Sequence, residues 1–297
     1  MGISSFVIEN MGNIIWLASY PKSGNTWMRI PLTNYLRDAD EPADINSLGT
    51  GGPIASARQA FDDHVGIEAS DLTEAEIERY RPFVYDQISE AAEETVFLRI
   101  HDAFTYTREG YPLISKAATK GVIYLTRNPL DVAVSYAHHS NIPVKKAVKA
   151  MGKSEHAFVS NPDRLHNQLV QRLLTWSGHV KSWLDEPDLD VQVVRYEDMK
   201  ATTAEAFVKV IRFADLEEDG ERVAKAVKFS EFKQIQKQEQ EQGFGEKMPR
   251  LESFFPKGEV GSWREQLTED MIQKLIDDHG DVMKRFGYVT EDGEVVY

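Results

Sequence analysis

At 297 residues, 41% hydrophobic and 28% charged, the chain is long enough for one large α/β domain or two small ones, with a sizeable buried core. A net charge of -14 argues against nucleic acid or an anionic membrane surface as partner, since both need a basic face; a small anion still fits wherever a few cations converge. The absence of cysteine excludes disulfides, thiolate nucleophiles and Cys-based metal sites.

The opening MGISSFVIEN lacks the basic and long apolar parts of a secretory signal, and Phe6 stands where a myristoylation signal has Ser or Thr. No apolar run reaches membrane-spanning length, so a cytoplasmic protein is expected. The first buried strand is predicted at 13–19 (NIIWLAS), followed by a loop and a helix at 26–37 that Pro31 should kink. From 62 to 94 there are eleven acidic residues and two basic ones, which reads as a solvated helical insertion within about 39–94, with TEAEIERY as a capped helix. Further strands are predicted at 95–100 (TVFLRI), 121–126 (GVIYLT) and 191–196 (VQVVRY), and further helices at 129–139, 164–184 and 203–214. The polar stretch 233–250 fits an exposed helix or a mobile flap equally well. A last helix runs from Leu267 to about Phe286, capped by Thr268 and interrupted or ended by Gly280. Strands alternating with helices predict a single α/β domain over 1–297, a central parallel sheet covered on both faces.

The segment YPKSGNTW (20–27) leads from a strand through a glycine turn into a helix. Such a turn leaves several N–H groups unpaired at the helix start, where the dipole also favours negative charge. Lys22 adds a full charge, and Ser23, Asn25 and Thr26 add side-chain donors. The nucleoside-triphosphate pattern G-x-x-x-x-G-K-[ST] is not met, because Lys22 precedes Gly24 by two residues and Asn25 follows it. The segment resembles the 5'-phosphosulfate loop, Y-P-K-S-G-[TS]-T-W, of the sulfotransferases that use 3'-phosphoadenosine 5'-phosphosulfate (PAPS).

Two further stretches follow in that family's order. IYLTRNPLDVAVSYAHH is similar to its 3'-phosphate motif R-N-x-x-D-x-x-x-S, which implies that Arg127 and Ser135 hold the 3'-phosphate. Without the resemblance, Arg127 pairing with Asp131 is nearly as good a reading. FFPKGEVGSWRE (254–265) resembles R-K-G-x-x-G-x-W-K through Lys257, Gly258, Gly261 and Trp263, with Pro256 in place of the arginine and Arg264 in place of the final lysine; Arg250 is a possible substitute cation. VVRYEDM and FSEFKQI are similar to the adenine-pocket segments, which points to Tyr196, Ser230 and Phe232 beside Trp27.

No histidine pair has metal-ligand spacing, and no metal is implied. His101 follows the strand TVFLRI and so lies at the carboxyl edge of the sheet, where open α/β folds bind ligands. LRIHDAF looks like the family's K-x-H strand end, with Arg99 at the lysine position, which implies that His101 is the general base. The resemblance implies the P-loop-NTPase-like sulfotransferase fold and sulfuryl transfer from PAPS to a hydroxyl or amine of a small-molecule acceptor. Lys22 would stabilise the leaving adenosine 3',5'-bisphosphate. The loop N–H groups, Ser23 and Gly24 included, would hold the 5'-phosphate with Asn25 and Thr26, Trp27 would stack on the purine, and Lys257 and Gly258 would close over a phosphate.

One alternative is a nucleoside-triphosphate-dependent small-molecule kinase, supported by Asp102 after a strand where magnesium would bind. Another is a non-catalytic adenosine-bisphosphate-binding protein, suggested by Pro256, Asn25 and the acidic insertion. Acceptor-lining candidates are Phe104, Tyr106, Phe244 and Phe254. REQLTEDMIQ (264–273) keeps only the Thr of the family's dimer segment, so monomer and homodimer both stay open.

Overall fold

A computed structural model describes residues 12–50, 52–161, 165–247, 251–255 and 258–296. The chain order is β1 (Ile14–Ser19), α1 (Asn25–Arg37), α2 (Arg58–Val65), α3 (Glu74–Ala91), β2 (Val96–Ile100), β3 (Thr119–Thr126), α4 (Pro129–Ser140) and α5 (Val144–Met151). Two short strands follow, β4 (Ala157–Phe158) and β5 (Gln171–Arg172), then α6 (Trp176–Leu184), β6 (Val191–Arg195), α7 (Tyr196–Ala201), α8 (Thr203–Phe213), α9 (Gly220–Phe229), α10 (Phe232–Gln242) and α11 (Glu269–Arg285).

The four longer strands form one parallel sheet in the order β2-β1-β3-β6. Side chains alternate across a strand, so the unbroken apolar run of β1 feeds two cores at once. Ile14, Trp16 and Ala18 enter a core shared with Trp176 and Val180 of α6 and Leu275 and Met283 of α11. Ile15 and Leu17 enter a second core with Met28 of α1, Phe207 and Ile211 of α8 and Val223 of α9. Because all four strands point the same way, the segments leaving β1, β2, β3 and β6 emerge along one edge. That edge gathers residues 20–25, His101, Arg127 and Tyr196.

The predicted strands are all present, and several helices differ. The helix expected over 164–184 begins only at Trp176, where the Thr175 side chain accepts from Gly178 N–H. Ahead of it, β5 pairs antiparallel with β4, and Leu174 takes a left-handed φ of 59° that breaks any helix there. α1 continues past Pro31 to Arg37, and α11 runs through Gly280 to Arg285. Thr268 occupies the cap position of α11 without a side-chain cap bond, whereas Thr73 and Glu76 form the full capping box at α3.

The acidic region is more than a solvated face. One of its two basic residues, Arg81, is 2% exposed and grips Asp102 with two nitrogens at 2.9 and 2.8 Å, while its Nε donates to Tyr85 at 3.0 Å. α3 is thereby fastened to the residue next to His101.

Candidate active site

The loop after β1 adopts backbone conformations that favour glycine. Gly24 has φ 101°, and a Cβ there would stand 2.8 Å from the Tyr196 ring. Lys22 has φ 73°, a conformation costing a non-glycine residue of order 1–3 kcal/mol. α1 begins at Asn25 with no side-chain cap, so its first N–H groups and its dipole face a cavity of about 880 Å³. The same cavity is lined by Lys22, Gly24, Asn25, Thr26, Trp27, His101, Arg127, Ser135, Tyr196, Phe232 and Gly258.

Burial, together with the nearby Arg127 charge, lowers the Lys22 ammonium to about 8, with Glu246 opposing. Lys22 stays charged at neutral pH, desolvated, with its Nζ 4.3 Å from the centroid of the Phe254 ring. The Arg127 guanidinium lies over the Tyr196 ring at 4.3 Å and donates to the Glu259 carbonyl at 3.0 Å, and its Nε is buried without a partner among the described residues.

Asp131 does not neutralise Arg127, which it approaches only to 4.0 Å. Its fully buried carboxylate instead accepts from Gly261 N–H at 2.8 Å, Ser262 Oγ–H at 2.9 Å and Trp263 N–H at 3.1 Å. The glycine segment 258–263 is thus pinned to α4. At its other end Tyr196 donates to the Gly258 carbonyl at 3.1 Å, and a Cβ on Gly258 (φ 61°) would meet Phe232 at 2.6 Å. Lys257, Pro256 and Arg250 lie outside the described residues.

Three of the expected nucleotide-binding side chains are placed away from the cavity or have partners within the chain. The Asn25 amide donates to the Leu17 carbonyl at 2.8 Å and to Ser19 Oγ at 3.2 Å, so its side chain ties the loop to β1 and only its backbone N–H is left for an anion. Ser23 is 1% exposed and does not line the cavity. The Ser230 hydroxyl donates back to Ala226 at 2.7 Å, and its carbonyl accepts from Trp27 Nε1 at 3.3 Å, so it supports Trp27 from behind.

His101 is held through its ring and through its backbone carbonyl. Its Nδ1 is 3.0 Å from the Ser19 carbonyl; a carbonyl only accepts, so Nδ1 carries the proton and Nε2 is the basic nitrogen. The His101 carbonyl accepts from His179 Nε2–H at 3.0 Å, and Tyr124 donates to His179 Nδ1 at 2.8 Å. Burial lowers the His101 imidazole to about 4, against the Ser19 hydrogen bond that raises it, so the ring is neutral at physiological pH. The neighbouring Asp102 is fully buried with both oxygens on Arg81, and Trp183 Nε1 donates to its carbonyl at 3.0 Å. Asp102 therefore has no oxygen to offer magnesium, which removes the support for a kinase.

The cavity is also lined by Ile54, Val134, Phe158, Gln168, Gln171 and Phe254. Phe104 packs on Trp183 in the core, Tyr106 is 43% exposed, and Phe244 sits behind Phe254 at 4.8 Å; of the four aromatic candidates only Phe254 lines it. Sequence reasoning missed Glu246, which follows α10 and pairs with both Arg29 (2.8 Å) and Arg99. It also missed Glu239, whose carboxylate accepts from Ser253 Oγ–H at 2.8 Å and Phe255 N–H at 3.1 Å. Neither has a local pattern, because each partner is remote or in an irregular segment.

The parallel sheet flanked by helices agrees with comparisons to known proteins. The sulfotransferase domain family matches residues 13–287. A flavonol 3-sulfotransferase of Flaveria bidentis is 24% identical over 276 residues, covering 89% of this chain and 79% of that protein. An amine sulfotransferase of Oryctolagus cuniculus is 25% identical over 162 residues, covering 52% and 51%. A retinol dehydratase solved with androsterone and the inactive cofactor PAP superposes with a TM-score of 0.62 at 19% identity, covering 98% of this chain and 85% of that one, and shares its fold. No helix among the described residues is long and apolar enough to cross a membrane. With its family matched from the first strand to beyond the last helix, the chain belongs to the sulfotransferases, and its chemistry is sulfuryl transfer.

Proposed function

We propose that the chain transfers a sulfuryl group from PAPS to a hydroxyl or amine of a small-molecule acceptor, in the cytoplasm and without a metal. The observation that carries this reading is that the uncapped start of α1, with Lys22, opens into the same cavity as the bare Nε2 of His101. The residues suit a 3',5'-bisphosphorylated nucleotide. The α1 N–H groups and Thr26 receive the 5'-phosphate, Arg127 with its unpartnered Nε and Ser135 receive the 3'-phosphate, and Trp27, Tyr196 and Phe232 supply a purine slot.

PAPS supplies the sulfuryl group when bound. His101 Nε2 takes the acceptor proton as the acceptor oxygen or nitrogen forms its bond to sulfur and the bond from sulfur to the bridging phosphate oxygen breaks. Lys22 offsets the charge that develops on that oxygen, in a site dry enough for a single ammonium to count. The Ser19 carbonyl keeps His101 in the tautomer that can do this.

Radiolabelled sulfate on PAPS, incubated with the protein and panels of phenols, steroids, sugars and amines, should label at least one acceptor without added metal. Binding of adenosine 3',5'-bisphosphate with no transfer to any acceptor would leave only a nucleotide-binding role. Magnesium-dependent phosphoryl transfer from ATP would replace the reading altogether.

A further inference from the structure

Lys200, at the end of the short α7, is an exposed residue with an unusual setting. Its Nζ is 5.3 Å from the centroid of the Trp27 ring and 5.2 Å from that of Phe232, so one ammonium sits against both walls of the purine slot. Trp27 in turn meets Tyr196 edge-on at 5.5 Å, and Arg127 lies over the Tyr196 ring at 4.3 Å. Two cations therefore flank one aromatic cluster.

The charges around Lys200 are unbalanced. Burial and then the Arg127 charge lower its pKa, and the opposing influence is Glu259, from the glycine segment. The ion pairs among the described residues include none to Lys200, whereas Lys116, Lys120, Lys225 and Lys274 each have a carboxylate partner. An exposed ammonium resting on aromatic faces gains only about 0.5–1 kcal/mol, less than a charge-assisted hydrogen bond to an anion, and the four-carbon stem of Lys200 lets it move. A site that holds two cations together on one aromatic cluster is arranged for an anion that adjoins a ring. In a purine nucleotide that anion is a phosphate on the ribose.

Resting on the nucleotide reading above, we propose that Lys200 is a ligand of the ribose 3'-phosphate, acting from the rim of the slot opposite Arg127 and setting the preference for 3',5'-bisphosphorylated adenosine over adenosine 5'-monophosphate. Lys200 gives up its place against Trp27 and Phe232 when the purine enters and pairs with the phosphate beside it.

Calorimetric titration of both nucleotides into the wild type, Lys200→Met and Lys200→Arg tests this. Lys200→Met is expected to weaken the bisphosphate by ~10-fold or more while leaving the monophosphate within about twofold, and Lys200→Arg to restore most of the difference. Unchanged bisphosphate affinity, or an equal change for both nucleotides in either direction, would overturn the proposal. A wild-type protein that binds neither nucleotide would instead overturn the nucleotide reading itself.

Discussion

The two halves of the cavity are built differently. The half proposed for the nucleotide is made at the ends of parallel strands: residues 20–27 follow β1 and Arg127 follows β3, both strands buried between two cores, and Tyr196 follows the half-buried β6. The half proposed for the acceptor is lined by Ile54, Phe158, Gln168, Gln171 and Phe254, residues of loops, of the two-residue strands β4 and β5 and of the segment after α10. His101 stands between them, its ring locked to β1 and its carbonyl to α6. On the proposed reading, the shared demands of phosphate binding are met on the sheet edge and individuality is left to the loops.

Replacing His101 should separate the halves most sharply. His101→Ala is expected to lower kcat by ~10²–10⁴-fold with the Kd for adenosine 3',5'-bisphosphate unchanged within about twofold; substantial retained turnover would remove His101 from the base role. Next in size is the tether beneath it. Arg81→Met leaves Asp102 buried and unpaired, which should cost about 3–5 kcal/mol of stability in denaturant melts and loosen the His101 segment. A stability loss below about 1 kcal/mol would mean that Asp102 is not confined as described.

A smaller effect belongs to Lys22, and its sign follows from linkage. The free ammonium lies at about 8, and a bound phosphate raises it, so binding takes up a proton above that pH and affinity falls as pH rises from about 8 to 10. Lys22→Met should flatten that slope in nucleotide titrations. The smallest change is expected on the acceptor side, where Phe254→Ala should raise the acceptor KM by roughly tenfold and the nucleotide Kd by less than about fivefold. The reverse pattern would mean that the boundary between the halves is misplaced.

The same contrast explains what was legible in the sequence. Phosphate binding requires backbone N–H groups, cations and tight turns within a few residues of one another, and these leave compact patterns such as YPKSGNTW and RNPLDVAVS. A strand buried on both faces leaves an unbroken apolar run, as in β1, and the β-branched runs of β2, β3 and the half-buried β6 were readable as well. Leu169, Leu173 and Trp176 are spaced as on a helix, yet the first two are buried by the loop and β5 segment that precede α6. Asn25 has donors able to face either way, and only the positions of the Leu17 carbonyl and Ser19 Oγ decide that its side chain faces inward. Arg81 was hidden in a run of acids, because a count of charges carries no sign of which one is buried. The residues proposed to line the acceptor side come from three separate segments, around Ile54, Phe158 to Gln171, and Phe254, and share no local pattern.

Hydrogen–deuterium exchange with and without adenosine 3',5'-bisphosphate tests the division of the cavity most directly. Protection is predicted over 20–28, 127–136, 196–200 and 258–263, with segments around Ile54, Phe158 and Gln168 unchanged. Protection concentrated in those latter segments, with none at the start of α1, would contradict it.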